Sequence, residues 1–480
     1  MNSPVGYCRT VMNSTAMRSP RPFASVSIAV LLGLGLVAGL LVPVEGLKAG
    51  ALIALGLVAI GVAVYAPGVI FALYLMIPFF KGAAQQYSPV DLTLALAVLN
   101  TLQIVAIVVH RPAPHVSRTG LALWVLLGMI VLGGVLYAPD QTLALSHAEG
   151  FEFLVFVPLL VGALRVGSDP RYVRQLLWMF VAMGILTTVV GLPSISGSDR
   201  LVVLGADTID VASAALLVPL LWPAFVARHG SQRVRLVTII LIPLALIVAL
   251  ASGSRGPVLV LLAMAMLGVI RYLAHPRSVN WPRTAGVTGA VLAVILFVSF
   301  ASPYLPALST SRFTLFGDFV QNALTGDPGN ASAADTSSAA RVALYGVAIT
   351  MFEERPILGF GTAGFEAMSN YFLGYDEAYP HNALLQFAAE FGLVGAALFV
   401  SLVTVGLARR LPELGQPIRI AFLYFLLQAM LSNDILSDRT TWGLLLLLLL
   451  MEGASIGRLA SVKTEVREEH SALTTDGLAA

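Results

Sequence analysis

Apolar runs close to 20 residues long recur along the chain, and they constrain its fold more than any other feature of the sequence. An α-helix needs about 20 residues to cross the hydrocarbon of a bilayer. We place spans at roughly 25–44, 49–66, 67–80, 91–109, 120–138, 151–166, 172–192, 208–227, 235–251, 256–274, 284–302, 392–408, 417–433 and 440–456. Only 11% of the residues are charged, against about 25% in soluble domains. The sequence therefore predicts an all-α polytopic membrane protein.

Arginines between the spans predict the orientation of the chain, because cytoplasmic loops carry an excess of Lys and Arg. With the N-terminus in the cytoplasm, every second loop is rich in arginine. These loops hold Arg111 and Arg118; Arg165, Arg171 and Arg174; Arg228, Arg233 and Arg235; Arg271, Arg277 and Arg283; and Arg409 and Arg410. Both termini are then expected in the cytoplasm.

One long segment falls on the outer side under this topology. We divide the chain into an N-terminal transmembrane bundle at 1–302, an extracytoplasmic helical lobe at 303–391, C-terminal spans at 392–457 and a disordered cytoplasmic tail at 458–480. Within the lobe, Val342, Tyr345 and Ile349 have helical spacing, which predicts a helix over Ala339–Glu354 that Pro356 ends.

The lobe also contains GFGTAG at 359–364, which matches the dinucleotide-binding pattern G-x-G-x-x-G. That pattern indicates a nucleotide site only between a strand and a helix of a βαβ unit, and here it follows a helix. We therefore expect no nucleotide cofactor, and we expect the glycines to permit a tight turn or a close backbone approach.

Other compositional signals exclude further classes of site. Cys8 is the only cysteine, so the chain has no internal disulfide and no cysteine-based metal centre. The net charge of +2 comes without a basic stripe, so we expect no nucleic-acid partner.

Four of the arginines on the outer side, where the charge rule disfavours arginine, are candidates for a binding site: Arg200, Arg255, Arg312 and Arg341. A lone interfacial arginine often only contacts lipid headgroups, and Asp199 is a simple partner for Arg200. Several together favour an anion site, since guanidinium groups bind phosphate oxygens bidentately and stay charged. We predict that they bind a lipid diphosphate.

Two histidines, His147 and His381, lie on the outer side. His381 follows Tyr379-Pro380 and precedes a helix that runs into the next span. A helix N-terminus lowers the pKa of a histidine and favours the neutral base. His381 is therefore the candidate catalytic residue; the alternative is a capping or interfacial histidine without a chemical role.

Three motifs together resemble the O-antigen ligase and O-antigen polymerase superfamily. They are GSRG at 253–256, RPILGFGTAGF at 355–365 preceded by Arg341, and HNALLQFAAEFG from His381. The resemblance spans about 200–400. It implies a GT-C type bundle with one large periplasmic loop, in the bacterial inner membrane. Ligases of the superfamily commonly have about twelve spans and the apolar runs above predict fourteen, so we expect about 12–14 transmembrane helices, and the difference leaves ligase and polymerase both open.

Members of that superfamily transfer a saccharide from undecaprenyl diphosphate to an acceptor sugar, without a metal or a nucleotide sugar. By this resemblance, Arg200 and Arg255 match the arginines that hold the diphosphate, and His381 matches the essential histidine of the long loop. Arg341 matches less closely. The implied partners are the lipid-linked donor, a glycan or glycolipid acceptor and the surrounding membrane lipids.

Three alternatives remain at this stage. A polymerase would use a second lipid-linked repeat unit as its partner, whereas a ligase uses lipid A core. A transporter or flippase would also have many spans, but we find neither internal repeats nor ionisable residues within the spans. A structural membrane scaffold would not need Arg200, Arg255 and His381 on one side.

Overall fold

The computed structural model describes residues 61–82, 91–109, 116–195, 201, 203, 206–274, 321, 336–409 and 414–451. The chain divides into two compact units, Met1–Ala66 and Pro67–Ala480. Of the first unit only residues 61–66 are described, and they are helical through residue 65. All of the architecture below belongs to the second unit.

The described part of the second unit is built from helices; it contains two isolated β-bridges and no β-strand. In chain order the helices are α1 Pro67–Leu75, α2 Leu92–Val109, α3 Arg118–Tyr137, α4 Gln141–Gly167, α5 Pro170–Ser194, α6 Thr208–His229, α7 Gln232–Ala251, α8 Arg255–Ala274, α9 Thr336–Glu354, α10 Gly364–Leu373, α11 Ala383–Ala408, α12 Gly415–Ala429 and α13 Arg439–Leu450. Seven of them, α2 to α7 and α11, are long and apolar enough to cross a membrane. The chain is therefore an all-α polytopic membrane protein, as its sequence predicts.

Two spans begin well before the apolar run that predicts them. Helix α4 starts at Gln141 rather than near 151, and α11 starts at Ala383 rather than near 392. Asp140 and Asn382 cap these helices with their side-chain oxygens. The extra turns carry polar residues that lower the local hydropathy, so the apolar run alone misses them. The predicted spans at 25–44, 49–66 and 284–302 lie wholly or almost wholly outside the described residues.

The segments that connect the helices contact one another at two opposite ends of the bundle. At one end, Ser117 accepts a hydrogen bond from Arg409, and Val116 forms a bridge with Met451. At the other end, the Tyr137 hydroxyl donates to the carbonyl of Leu358 over 3.0 Å. This sorting agrees with the alternation expected from the arginine pattern, while the assignment of either end to the cytoplasm stays a prediction.

Helices α9 and α10 form a small core against α11. Leu344, Ala348 and Met351 of α9 pack with Phe360, Phe365 and Ala389. The helix agrees with the one predicted from the sequence, although Val342 and Ile349, two residues of the apolar stripe that predicts it, are exposed.

Helix α11 is interrupted at Gly392, whose φ is 61° and ψ is −152°. The GFGTAG turn fills the interruption: the Phe360 and Gly361 N–H groups donate to the Ala389 and Glu390 carbonyls over 3.0 and 2.6 Å. A Cβ on Gly359 would lie 2.4 Å from the Glu390 backbone, and one on Gly361 would lie 2.3 Å from the Gly134 carbonyl oxygen. The glycines therefore serve close backbone approach, as predicted from the sequence.

Candidate functional site

His381 lies immediately before α11, at the end of the bundle that contacts the lobe. Asn382 is the N-cap residue, and its side chain accepts a hydrogen bond from the Leu385 N–H over 3.1 Å. The backbone of His381 has a φ of 56°, an unusual value for a residue other than glycine. Such strained positions occur often at functional sites, so the geometry supports a functional role for this residue.

A backbone carbonyl sets the tautomer of His381. The Nδ1 atom lies 3.1 Å from the Ser432 carbonyl oxygen. A carbonyl oxygen only accepts hydrogen bonds, so in the neutral ring Nδ1 carries the proton and Nε2 has the free lone pair. The Tyr379 ring stands edge-on to the imidazole with the centroids 4.5 Å apart. The free nitrogen of His381 is thus the one that can accept a proton.

The pKa of His381 lies below its ordinary value of 6.5. Burial of the half-exposed ring is the largest cause, and the nearby Arg341 charge lowers the pKa further. The Ser432 carbonyl and Glu377 act in the opposite direction. The sequence predicts this direction from the helix N-terminus, whereas in the structure burial is the main reason.

The loop Met430–Asp438 between α12 and α13 holds the start of α11 in place. The Asn382 side-chain amide donates to the Met430 carbonyl over 3.1 Å. The buried side chain of Gln386 donates to Asp434 Oδ1 over 2.8 Å and accepts from the Ile435 N–H over 3.2 Å. Together with the His381–Ser432 contact, these bonds join the start of α11 and the two residues before it to residues 430–435 of the loop.

The residue next to Arg255, Gly256, lies against the same loop. It is the first residue of α8, which follows a turn at Gly253 with a φ of 71°. A Cβ on Gly256 would lie 3.3 Å from Ser432 Oγ, so the first turn of α8 touches the residue whose carbonyl binds His381. The structure therefore brings the Arg255 segment and the His381 segment together at one loop.

Arg341 of α9 approaches the site from the lobe. Its charge acts on the pKa of both His381 and Tyr379, so it lies within electrostatic reach of both rings. Burial raises the pKa of Tyr379, and the carboxylates of Asp434, Glu377 and Asp207 raise it further. The surroundings of His381 therefore combine one arginine, an aromatic ring and several carboxylates.

Not every predicted site residue is described. Arg200 and Arg312 lie outside the described residues. His147 pairs with Glu366 of α10, with Nε2 3.2 Å from the carboxylate oxygen. That contact connects α4 to the lobe and gives His147 a structural partner at the same end of the bundle.

Sequence reasoning missed the loop Met430–Asp438. Its polar residues, including Asn433 and Asp434, separate two apolar spans, and the predicted topology puts this loop on the same side as His381. Polar residues on the predicted side of His381 were the one sequence signal that could have marked this loop as part of the site. The pairing itself joins residues about 50 positions apart, which no local pattern reveals.

The apolar helices define an integral membrane protein, and at one end of its bundle a histidine whose tautomer is set by a backbone carbonyl lies near an arginine-bearing helix start. Residues 239–400 match the family model described as O-antigen ligase, Wzy_C. This part of the chain is therefore similar to O-antigen ligases. The match covers about a third of the chain and includes Arg255, Arg341 and His381. No curated protein matches the sequence.

Proposed function

We propose that the protein is a metal-independent membrane glycosyltransferase of the O-antigen ligase type. It transfers a saccharide from undecaprenyl diphosphate to a sugar hydroxyl of a glycolipid acceptor, at the periplasmic face of the bacterial inner membrane. His381 is the general base, and Arg255, Arg341, Arg200 and Arg312 are the proposed donor-binding residues. The match of residues 239–400 to the O-antigen ligase family model supports this reaction class.

The observation that carries the proposal is the hydrogen bond from His381 Nδ1 to the Ser432 carbonyl. It leaves Nε2 unprotonated in the neutral ring, and the lowered pKa keeps the ring neutral near pH 7. A general base needs both properties. The same loop residue contacts the start of α8, so a base and a phosphate-binding arginine segment meet at one place.

The chemistry follows from this arrangement. The acceptor hydroxyl attacks the anomeric carbon, a new C–O bond forms, and its proton passes to His381 Nε2. The bond from the anomeric carbon to the diphosphate oxygen breaks, and that oxygen keeps the electron pair. Negative charge grows on the diphosphate, so an arginine placed there stabilises the transition state more than the ground state.

Besides Arg255, the N-terminus of α8 itself can bind the leaving diphosphate. Helix N-termini expose backbone N–H groups and a partial positive charge, which together bind phosphate oxygens. Arg255 is the first residue of this 20-residue helix. The guanidinium and the helix end therefore act on the same anion.

The carboxylates around Tyr379 suit the saccharide. Asp434 and Asp207 both act electrostatically on the Tyr379 hydroxyl. Carboxylate oxygens accept hydrogen bonds from sugar hydroxyls, and an aromatic face packs on the apolar side of a sugar ring. We assign this side of the site to sugar recognition.

Reconstituted protein tests the proposal directly. Vesicles containing the protein receive undecaprenyl-diphosphate-linked oligosaccharide with a labelled sugar, together with a glycolipid acceptor. We expect label on the acceptor and an equal amount of free undecaprenyl diphosphate. Label that crosses the bilayer without changing its carrier would contradict transferase chemistry and favour a transporter.

A second arm separates ligase from polymerase. The same vesicles receive the lipid-linked donor alone, so that a second donor molecule is the only available acceptor. A ligase leaves the donor unchanged, whereas a polymerase produces longer lipid-linked chains. Chain lengthening in this arm would overturn the ligase assignment while retaining the donor and the reaction type.

A further inference from the structure

The turn that joins α9 to the GFGTAG segment exposes an unusual set of side chains. Pro356 is exposed, and Ile357 and Leu358 are 68% and 53% exposed. Arg355 precedes them, with its guanidinium carbon 4.4 Å from the centroid of the Phe360 ring. Two large aliphatic side chains at the tip of a turn expose apolar surface that water disfavours.

Backbone hydrogen bonds fix this turn against the bundle. The Leu393 N–H donates to the Pro356 carbonyl over 2.7 Å, and the Val394 N–H donates to the Ile357 carbonyl over 3.3 Å. The turn therefore lies beside the interruption of α11 and well beyond the first residue of that helix.

Helix geometry gives the depth of the turn. From Gly392 to Ala408 the helix advances about 24 Å, at 1.5 Å per residue over 16 residues. The hydrocarbon core is about 30 Å thick. With Arg409 placed at the opposite membrane boundary, the level of Gly392 lies about 6 Å inside the hydrocarbon at the His381 end. The turn is at the same level.

Neighbouring membrane-spanning helices present the same kind of surface at this level. Leu393 of α11 is 61% exposed, and Leu136 at the end of α3 is 80% exposed. Both residues belong to helices of membrane-spanning length. The Tyr137 hydroxyl binds the Leu358 carbonyl, so the end of α3 adjoins the turn. Ile357 and Leu358 thus continue an exposed apolar surface of helices that are long enough to span a membrane.

We propose that the turn 356–358 inserts into the bilayer as a lipid-contacting wedge of the lobe. The acyl chains of the leaflet at the His381 end cover Ile357 and Leu358. Arg355 lies next to the wedge, and its guanidinium packs over the face of the Phe360 ring. The partner is bilayer lipid, and the inference does not depend on the transfer reaction.

The wedge has a consequence for the site. The segment that carries it also binds the interrupted part of α11, and α11 begins two residues after His381. A wedge held in lipid fixes the height of the lobe above the bilayer. It thereby fixes the level of His381 relative to the lipid phosphates.

A single reporter at position 357 tests the wedge. Cys8 is the only cysteine, so a Cys8→Ser background with Ile357→Cys accepts one environment-sensitive fluorophore. The full-length protein is reconstituted in vesicles of phosphatidylethanolamine and phosphatidylglycerol, with and without nitroxide on the acyl chains. We expect blue-shifted emission and nitroxide quenching at least half as strong as for a Leu393→Cys reporter.

Two further reporters complete the experiment. Ala378→Cys lies in an exposed loop of the lobe and should show water-like emission without nitroxide quenching. Leu358→Cys repeats the test at the second wedge position if the first variant folds poorly. Water-like emission at both 357 and 358 would overturn the proposal. Blue-shifted emission without nitroxide quenching would also overturn it, because protein rather than lipid would then cover the turn.

Discussion

Replacement of Gln386 by alanine tests how the loop Met430–Asp438 acts on His381. The buried Gln386 side chain bonds Asp434 and the Ile435 N–H, and it does not touch His381 in any described contact. If the loop positions His381, replacement of Gln386 must change the rate of transfer and the pKa of His381, although Gln386 does not contact the imidazole. Gln386 is therefore a proposed positioning residue.

The expected loss follows from the bonds removed. Two hydrogen bonds contribute about 1 kcal/mol each, so the loop loses about 2 kcal/mol of preference for its native position. That corresponds to a shift of roughly 30-fold in the equilibrium between the native and displaced loop. We expect transfer to fall, by at most about 30-fold, and the loss approaches that limit when the displaced loop is inactive and becomes the main state of the variant.

The pH profile distinguishes positioning from a general loss of structure. Activity falls as pH drops through the His381 pKa, because the protonated ring cannot accept a proton. The Ser432 carbonyl raises that pKa, so loss of its hydrogen bond lowers it and moves the acid limb to lower pH. Arg341 and Glu377, the other charges that act on His381, are unchanged in the variant.

The assay measures kcat against pH for reconstituted wild type, Gln386→Ala and Gln416→Ala. Gln416 is exposed at the start of α12 and serves as the matched control. A lower rate with an unmoved acid limb would assign Gln386 a purely structural role. A wild-type rate and profile would refute the account of the loop altogether.

Three further changes have defined outcomes. Arg341→Gln removes a charge that lowers the His381 pKa, so the acid limb of kcat should move to higher pH; an unmoved limb would remove Arg341 from the site. Gly392→Ala should lower the unfolding midpoint in detergent, since its backbone region costs other residues about 1–3 kcal/mol, whereas Gly133→Ala, with open space around it, should not. Arg255→Lys keeps the charge but loses the bidentate fork, so transfer should fall at least about tenfold with normal membrane insertion; near-normal transfer would make Arg255 a headgroup anchor.

Periodicity and hydropathy predict the membrane fold because each span is a local property of about 20 residues. Helices α2, α3 and α5 to α8 therefore lie close to their predicted limits. The interruption at Gly392 is different. The backbone carbonyl and N–H groups at the interruption form hydrogen bonds with the segment 356–361, so the break depends on residues that lie 29 to 37 positions away.

The candidate site also has one part that the sequence predicts and one part that only the structure reveals. His381 is predictable because Pro380 and a following apolar helix mark a helix start at the membrane boundary, and the structure has that start at Ala383. The Ser432 carbonyl that sets its tautomer is a backbone atom. A backbone carbonyl leaves no signature in side-chain sequence, so only the structure identifies it.

Single-turnover transfer by His381 variants tests the central claim most directly. His381→Asn is the most informative change, because asparagine tolerates the positive φ of 56° and lacks a basic nitrogen. His147→Ala, at the same end of the bundle, is the control. With a defined undecaprenyl-diphosphate-linked donor, we predict at least about a 100-fold loss for His381→Asn, unchanged donor binding and near-wild-type transfer by the control. Wild-type turnover by purified His381→Asn protein would contradict the assignment of His381 as the base.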